Sequence, residues 1–393
     1  MLALGQTAWA DTQLNHSIEA SKISEVHAKA KIQTLKFDNG DKYVGTLKNG
    51  KMHGTGTYYF HDGAIYTGEC ANGDFSGKGK LTFSNGNYYI GQFAKDKFNG
   101  QGEYHYINGD VCKGNFVNDL MEGKGTIHYI DGSVYEGNFK KDMYDGQGTF
   151  TDSYGKYTGS YKAGEKHGKG KIINNLGIVF EGTFNEDSLE GKATIIFDKD
   201  LKIESAFEDG DLVGKTTVTY KGKKEVVDFS EESFAQIGAD LVIFDSVAVY
   251  RGGLKDGLFD GKGIFLTEES KIEATFKEGD PVEGTMKYPS GETYKGLFDE
   301  DFHLLQGTAK TLKGDTIQVA YTDDVTHYTG SIKIEGKLKK VEYGLNEDGE
   351  FEYFRLDNKA YEADITDERG VDEMELVDES GKVIKFLKAY LFF

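Results

Sequence analysis

Tyr43-Val44-Gly45-Thr46-Leu47-Lys48-Asn49-Gly50-Lys51-Met52-His53-Gly54-Thr55-Gly56, closed by a late Gly63, is the stretch on which the fold turns. Its skeleton returns at a fixed distance. Units open at Tyr43, Tyr66, Tyr89, Cys112, Tyr135, Tyr157 and Phe180, with a spacing of 23 residues and a single step of 22. Self-similarity at one period marks an array in which each unit buries surface against its neighbours. Most of the 52 glycines therefore belong to a scaffold and are not phosphate loops.

Each unit reads as one β-hairpin. Side chains alternate along a strand, so Tyr43, Gly45 and Leu47 share a face, as do Gly54, Gly56, Tyr58 and Phe60 on the returning strand. The fifth position runs Leu47, Cys70, Phe93, Phe116, Phe139, Tyr161, Phe184, Phe207. The sixteenth runs Tyr58, Leu81, Tyr104, Ile127, Phe150, Ile172, Ile195, Val218. Between them lie polar residues such as Thr46, Glu69, Gln92 and Asn115. One face is thus aromatic and the other wet. Glycines on the aromatic face leave room for a ring to lie over backbone, and those at Gly50 and Gly63 serve turns.

On these residues the units resemble MORN repeats, whose pattern is approximately YxGxxxxGxxHGxGxxxxxxG. Tyr66-Thr67-Gly68 with Gly73, Gly77, Gly79 and Gly86 follows it, as does Tyr157-Thr158-Gly159 with Gly164, His167, Gly168 and Gly170. The resemblance covers residues 43–202 clearly and 203–316 in degenerate form. It implies an all-β chain: an elongated, twisted single-layer antiparallel sheet of repeated hairpins. It also implies a role in assembly, partner binding or dimerisation.

Past the regular array the period is traced through Ile203, Val226, Tyr250, Glu273 and Tyr294, which predicts one continuous sheet over residues 43–316; a boundary near 225–249 is the alternative. Residues 317–393 lose the period but keep alternating segments between turn-like clusters at 346–349, 357–358, 367–370 and 379–381. They read as an acidic β-meander that ends the array. Residues 11–42 form an N-terminal segment whose stretch 15–35 is open between helix and extended chain. Residues 1–10, with Ala8-Trp9-Ala10, resemble the cleavage end of a signal peptide. That places the chain outside the cytoplasm, periplasmic or secreted.

Charge is uneven. Residues 1–202 carry a net −2 and residues 203–393 a net −18, within a total of −20. A nucleic-acid binder needs an excess of cations, so nucleic acid is not an expected partner. The acidic half also disfavours anionic bilayers. No apolar run approaches the length of a spanning helix. Cys70 and Cys112 stand two repeats apart, about 19 Å if each repeat is a hairpin, whereas a disulfide needs about 7 Å or less. No bridge is expected.

No catalytic constellation emerges, and no cofactor is expected. His53 and His167 share a repeat slot near a turn, and His105 and His128 share another without a third metal ligand. Glu208-Asp209-Gly210-Asp211 and Asp299-Glu300-Asp301 lack the alternation of a calcium loop. The expected function is therefore a non-enzymatic scaffold that binds a protein, with homodimerisation possible. Peripheral phospholipid binding is the alternative. The candidate partner-binding residues are the ladder Phe93, Phe116 and Phe139 with Tyr104 and Phe150 beside it.

Overall fold

The computed structural model describes residues 31–387 apart from 231–232, 301, 311–313, 315, 323–324, 335–336, 346–350, 358, 367–372 and 378–382. The signal-like residues 1–10 lie outside them, as do the turn clusters at 346–349, 367–370 and 379–381. The described residues form strands and turns, with no helix. Gln33–Lys36 is a strand paired with Lys42–Lys48, so the end of the undecided N-terminal stretch is extended chain.

Strands from Gln33–Lys36 to Lys223–Asp228 pair antiparallel, each with its neighbours in sequence, into an eighteen-stranded sheet. Strands from Phe234–Ile237 to Val383–Leu387 form a second sheet of fifteen, whose last members are the expected meander. Packing separates two units. The first reaches Gly148 and includes Lys162–Gly164; the second holds Thr149–Tyr161 and the chain from Glu165 onward.

The hairpin is built the same way from unit to unit. Lys42–Lys48 and Lys51–Tyr59 are joined by Asn49 and Gly50, both with positive φ (53° and 75°). Such two-residue turns match the right-handed twist of their strands. Gly45 pairs with Gly56 and Leu47 with Met52, so the register shifts between them in a bulge. The Tyr43 hydroxyl donates to the carbonyl of Thr46 at that bulge (3.1 Å). Its ring lies over the glycine pair, where a Cβ on Gly45 or Gly56 would fall inside the ring. The same hydroxyl bond recurs from Tyr66 to Glu69, Tyr89 to Gln92, Tyr135 to Asn138, Tyr157 to Ser160 and Tyr250 to Gly253.

The expectation of one continuous sheet over 43–316 is corrected: the ladder stops at Asp228. Val226 does not open a unit; it is 64% exposed on a strand with almost no buried side chain. A strand without an apolar face cannot seat another hairpin. The chain turns at buried Phe229 and starts again at Phe234. In the second sheet the opener is buried Ile272, which pairs with Phe265, and not Glu273 on the other face. Within the second unit the new sheet is tied to the old one. Leu212 N donates to Asp245 O (2.8 Å), Tyr220 Oη to Asp240 (3.2 Å), and Arg251 pairs with Asp198.

Candidate binding surface

The ladder of phenylalanines is core. Phe93, Phe116 and Phe139 are only 3–4% exposed. Each packs edge-on to tyrosine openers: Phe93 to Tyr66 and Tyr89 (5.0 and 5.2 Å between centroids), Phe116 to Tyr89 (5.1 Å), Phe139 to Tyr135 (5.1 Å). Edge-to-face geometry suits aromatic quadrupoles. These rings offer no surface to a partner. Tyr104 and Phe150 are half-buried, but Tyr104 belongs to the first unit and Phe150 to the second.

Sequence reasoning missed a second packed row, nine residues after each opener: Met52, Phe75, Phe98, Met121, Leu189 and Leu212, all buried, and the half-buried Tyr144 and Phe259. Several stack flat on the opener, with centroids 3.8 Å apart for Tyr66–Phe75, Tyr89–Phe98 and Tyr250–Phe259 and 3.6 Å for Tyr135–Tyr144. The signal was present as an apolar residue at a constant offset. It stands two residues before the Gly54, Gly56 and Tyr58 positions, so alternation along the returning strand already puts it on the aromatic face, and the two-residue bulge brings it opposite Leu47.

What remains accessible on the aromatic face of the first unit lies toward the end of the hairpins away from the two-residue turns. Tyr58, Phe60, Phe83 and Tyr104 are half-buried, and Phe37 and Tyr106 are exposed. They form contacting groups: Phe37–Tyr58 at 5.4 Å, Tyr58–Phe60 at 4.7 Å, Phe83–Tyr104 at 5.9 Å and Tyr104–Tyr106 at 4.7 Å. Ile107 stands beside them at 64% exposure. Buried Asp41 anchors one end, accepting from Tyr58 Oη (2.6 Å), His61 N (2.8 Å) and Asn39 Nδ2 (2.7 Å). The Tyr58 hydroxyl, above all, holds that carboxyl below the usual carboxylate range against the opposing effect of burial.

His105 stacks on Tyr88 (4.4 Å) and lies 3.4 Å from Glu103, while His105 and His128 pair with Val111 from opposite sides. Cys70 and Cys112 are buried thiols, pushed up to about 11 and about 12 mainly by desolvation. Such thiols pack as small apolar groups and react slowly.

The model of the MORN repeat matches residues 43–65, 66–88, 89–111, 112–134, 135–153, 157–173 and 250–267. The chain carries MORN repeats. All seven matched units keep the glycine pair, as does the unmatched unit of Tyr294 with Gly296 and Gly307; the worn hairpins between 180 and 249 fall outside the matches. No curated protein matches the chain. Among solved structures it is similar to BamB from Moraxella catarrhalis, at 10% identity over 78% of this chain and 95% of that one, with a TM-score of 0.15. It is also similar to virginiamycin B lyase from Staphylococcus aureus, at 10% identity over 83% and 98%, with a TM-score of 0.14. Superposition that weak bears on neither the fold nor the activity of this chain.

Proposed function

We propose that the chain is a non-enzymatic MORN-repeat scaffold, acting outside the cytoplasm, that holds a protein partner on the aromatic rim of its first unit. The observation that supports this reading is the rim itself. Phe37, Tyr58, Phe60, Phe83, Tyr104 and Tyr106 leave ring surface accessible beside an already filled core. Aromatic anchors with a polar tip supply most of the energy of interfaces. The extracytoplasmic part of the reading rests on the Ala8-Trp9-Ala10 pattern.

The test is capture from the envelope fraction of the source cell by the full chain and by a Phe83→Ser, Tyr104→Ser variant. A stoichiometric protein retained by the parent and lost from the variant, at unchanged melting temperature, is the expected result. Equal capture by both proteins sinks the rim as the binding face. Salt-sensitive flotation of the full chain with anionic vesicles, without protein capture, would favour the phospholipid reading instead.

A further inference from the structure

The second unit contains a cavity of about 540 Å³ with an aromatic floor and an acidic mouth. Phe150, Tyr157, Phe180 and Phe184 line its depth. Six carboxylates, Asp152, Asp187, Asp209, Asp211, Glu268 and Glu269, lie around it against two lysines, Lys156 and Lys166. The volume is that of a small-ligand site.

Its origin is a single departure from the repeat. At the slot where other units stack an apolar residue on the opener, the sixth unit has Lys166. The flat face of Tyr157 is therefore met by an ammonium, with Nζ 5.8 Å from the ring centroid, and the same Nζ lies 3.4 Å from Asp187 Oδ1. A cation over this ring beside this carboxylate is thus already part of the structure. The acidic mouth is held in place. Buried Asn174 donates to the carbonyl of Glu268 (3.0 Å), and Thr267 and Ser270 close the loop on itself. Although the Glu268 side chain reaches solvent, desolvation first, then Glu269 and Asp211, raise its carboxyl. A cation entering the mouth relieves that crowding. Among the described residues no three His, Cys, Asp or Glu side chains converge to hold a metal, so the charge pattern suits an organic cation.

We infer that this cavity is a binding site for an alkylammonium or guanidinium group, supplied by a lysine or arginine side chain of a basic peptide segment or by a free polyamine. The inference does not depend on the rim of the first unit. Calorimetric titration of the full chain with an oligolysine peptide and, separately, with spermidine tests it. Saturable one-to-one binding of at least one probe is expected. The exposed double variant Glu268→Gln, Glu269→Gln should weaken it roughly tenfold or more. Lys166→Phe should restore the ring stack, cover the flat face of Tyr157 and weaken binding without loss of folding. Preference for the peptide assigns the site to a partner's side chain; preference for spermidine assigns it to a polyamine. Binding that is unchanged in both variants would be diffuse attraction to an acidic surface and would overturn the proposal. So would no binding of either probe to the parent at low salt.

Discussion

The hairpin opened by Tyr89 and the hairpin opened by Ile203 solve one packing problem in two ways. In the first, the ring lies over Gly91 and Gly102, where a Cβ would fall inside it, stacks on Phe98 and anchors its hydroxyl at the bulge. In the second, the opener is a smaller aliphatic residue, and the glycine pair has become Ser205 and Thr216. Their hydroxyls are buried and bond each other at 2.5 Å. Intermediate cases fall between. Phe180 stands with Gly182 and Ala193, and Ile272 with Ala274 and Gly284. Where Cys112 replaces the ring but both glycines remain, the Met121 methyl fills the space. Where the tyrosine ring is lost, its space is taken up by larger residues at the pair or by a neighbour such as Met121, as a close-packed interior requires. The worn units are recompensated hairpins.

The strongest way to break this comparison is to empty the core beside a ring that depends on it. Phe116→Ser removes a buried ring that meets Tyr89 and Phe98 edge-on. The expected cost is about 3–5 kcal/mol, with the first unit yielding before the second. Both cysteines lie in the first unit, so their labelling rate by a thiol reagent measures its opening alone. Labelling that stays at the parental rate would show that Phe116 is not structural.

Gly102→Ala comes next. The added methyl meets the Tyr89 ring, and overpacking of this kind costs about 1–3 kcal/mol. Combined with Tyr89→Leu, the same change should cost clearly less than the sum of the two. A double-mutant cycle by urea melting reads that coupling. Additive costs would mean that ring and glycine pair are independent, and the volume-exchange account fails.

In the worn hairpin the effect is smaller and its sign depends on pairing. Thr216→Val alone leaves the Ser205 hydroxyl buried without its partner, at about 1–3 kcal/mol. Ser205→Ala with Thr216→Val removes both polar groups and should recover most of that loss. A double variant no more stable than the single one would show that the hydroxyl pair is not the compensating element.

The regular part of this logic was legible in the sequence because side-chain alternation and a fixed period expose it. Tyr43, Gly45 and Gly56 announce a ring over glycines without any coordinates. The bulge was not legible, since it adds residues without a residue-type signature; the row from Met52 to Phe259 could be read as an apolar residue at a constant offset, but its flat stacking on the opener could not. The end of the first sheet at Asp228 was hidden because Val226 keeps the phase of the repeat while its side chain points to solvent. Lys166 was written in plain view. Its meaning depends on knowing that its slot normally holds an apolar residue packed on the opener, and on Glu268, about a hundred residues away, being carried to the same cavity.

The smallest expected effect concerns the edge where the regular array begins, which no worn unit reproduces. Asp41 is ionised, buried and satisfied by Tyr58, His61 and Asn39, and its carboxyl is held below the usual range. A lowered pKa in the folded state means that the unfolded chain binds the proton first as pH falls. The stabilisation is therefore complete above the ordinary aspartate value of about 4 and is lost progressively as pH drops below it. Asp41→Asn should lower the melting temperature modestly at neutral pH. The gap between parent and variant should then close as the buffer is taken below about pH 4. A gap that stays constant down to pH 2, roughly the lower end of paired carboxylates, would mean that Asp41 contributes shape and not charge.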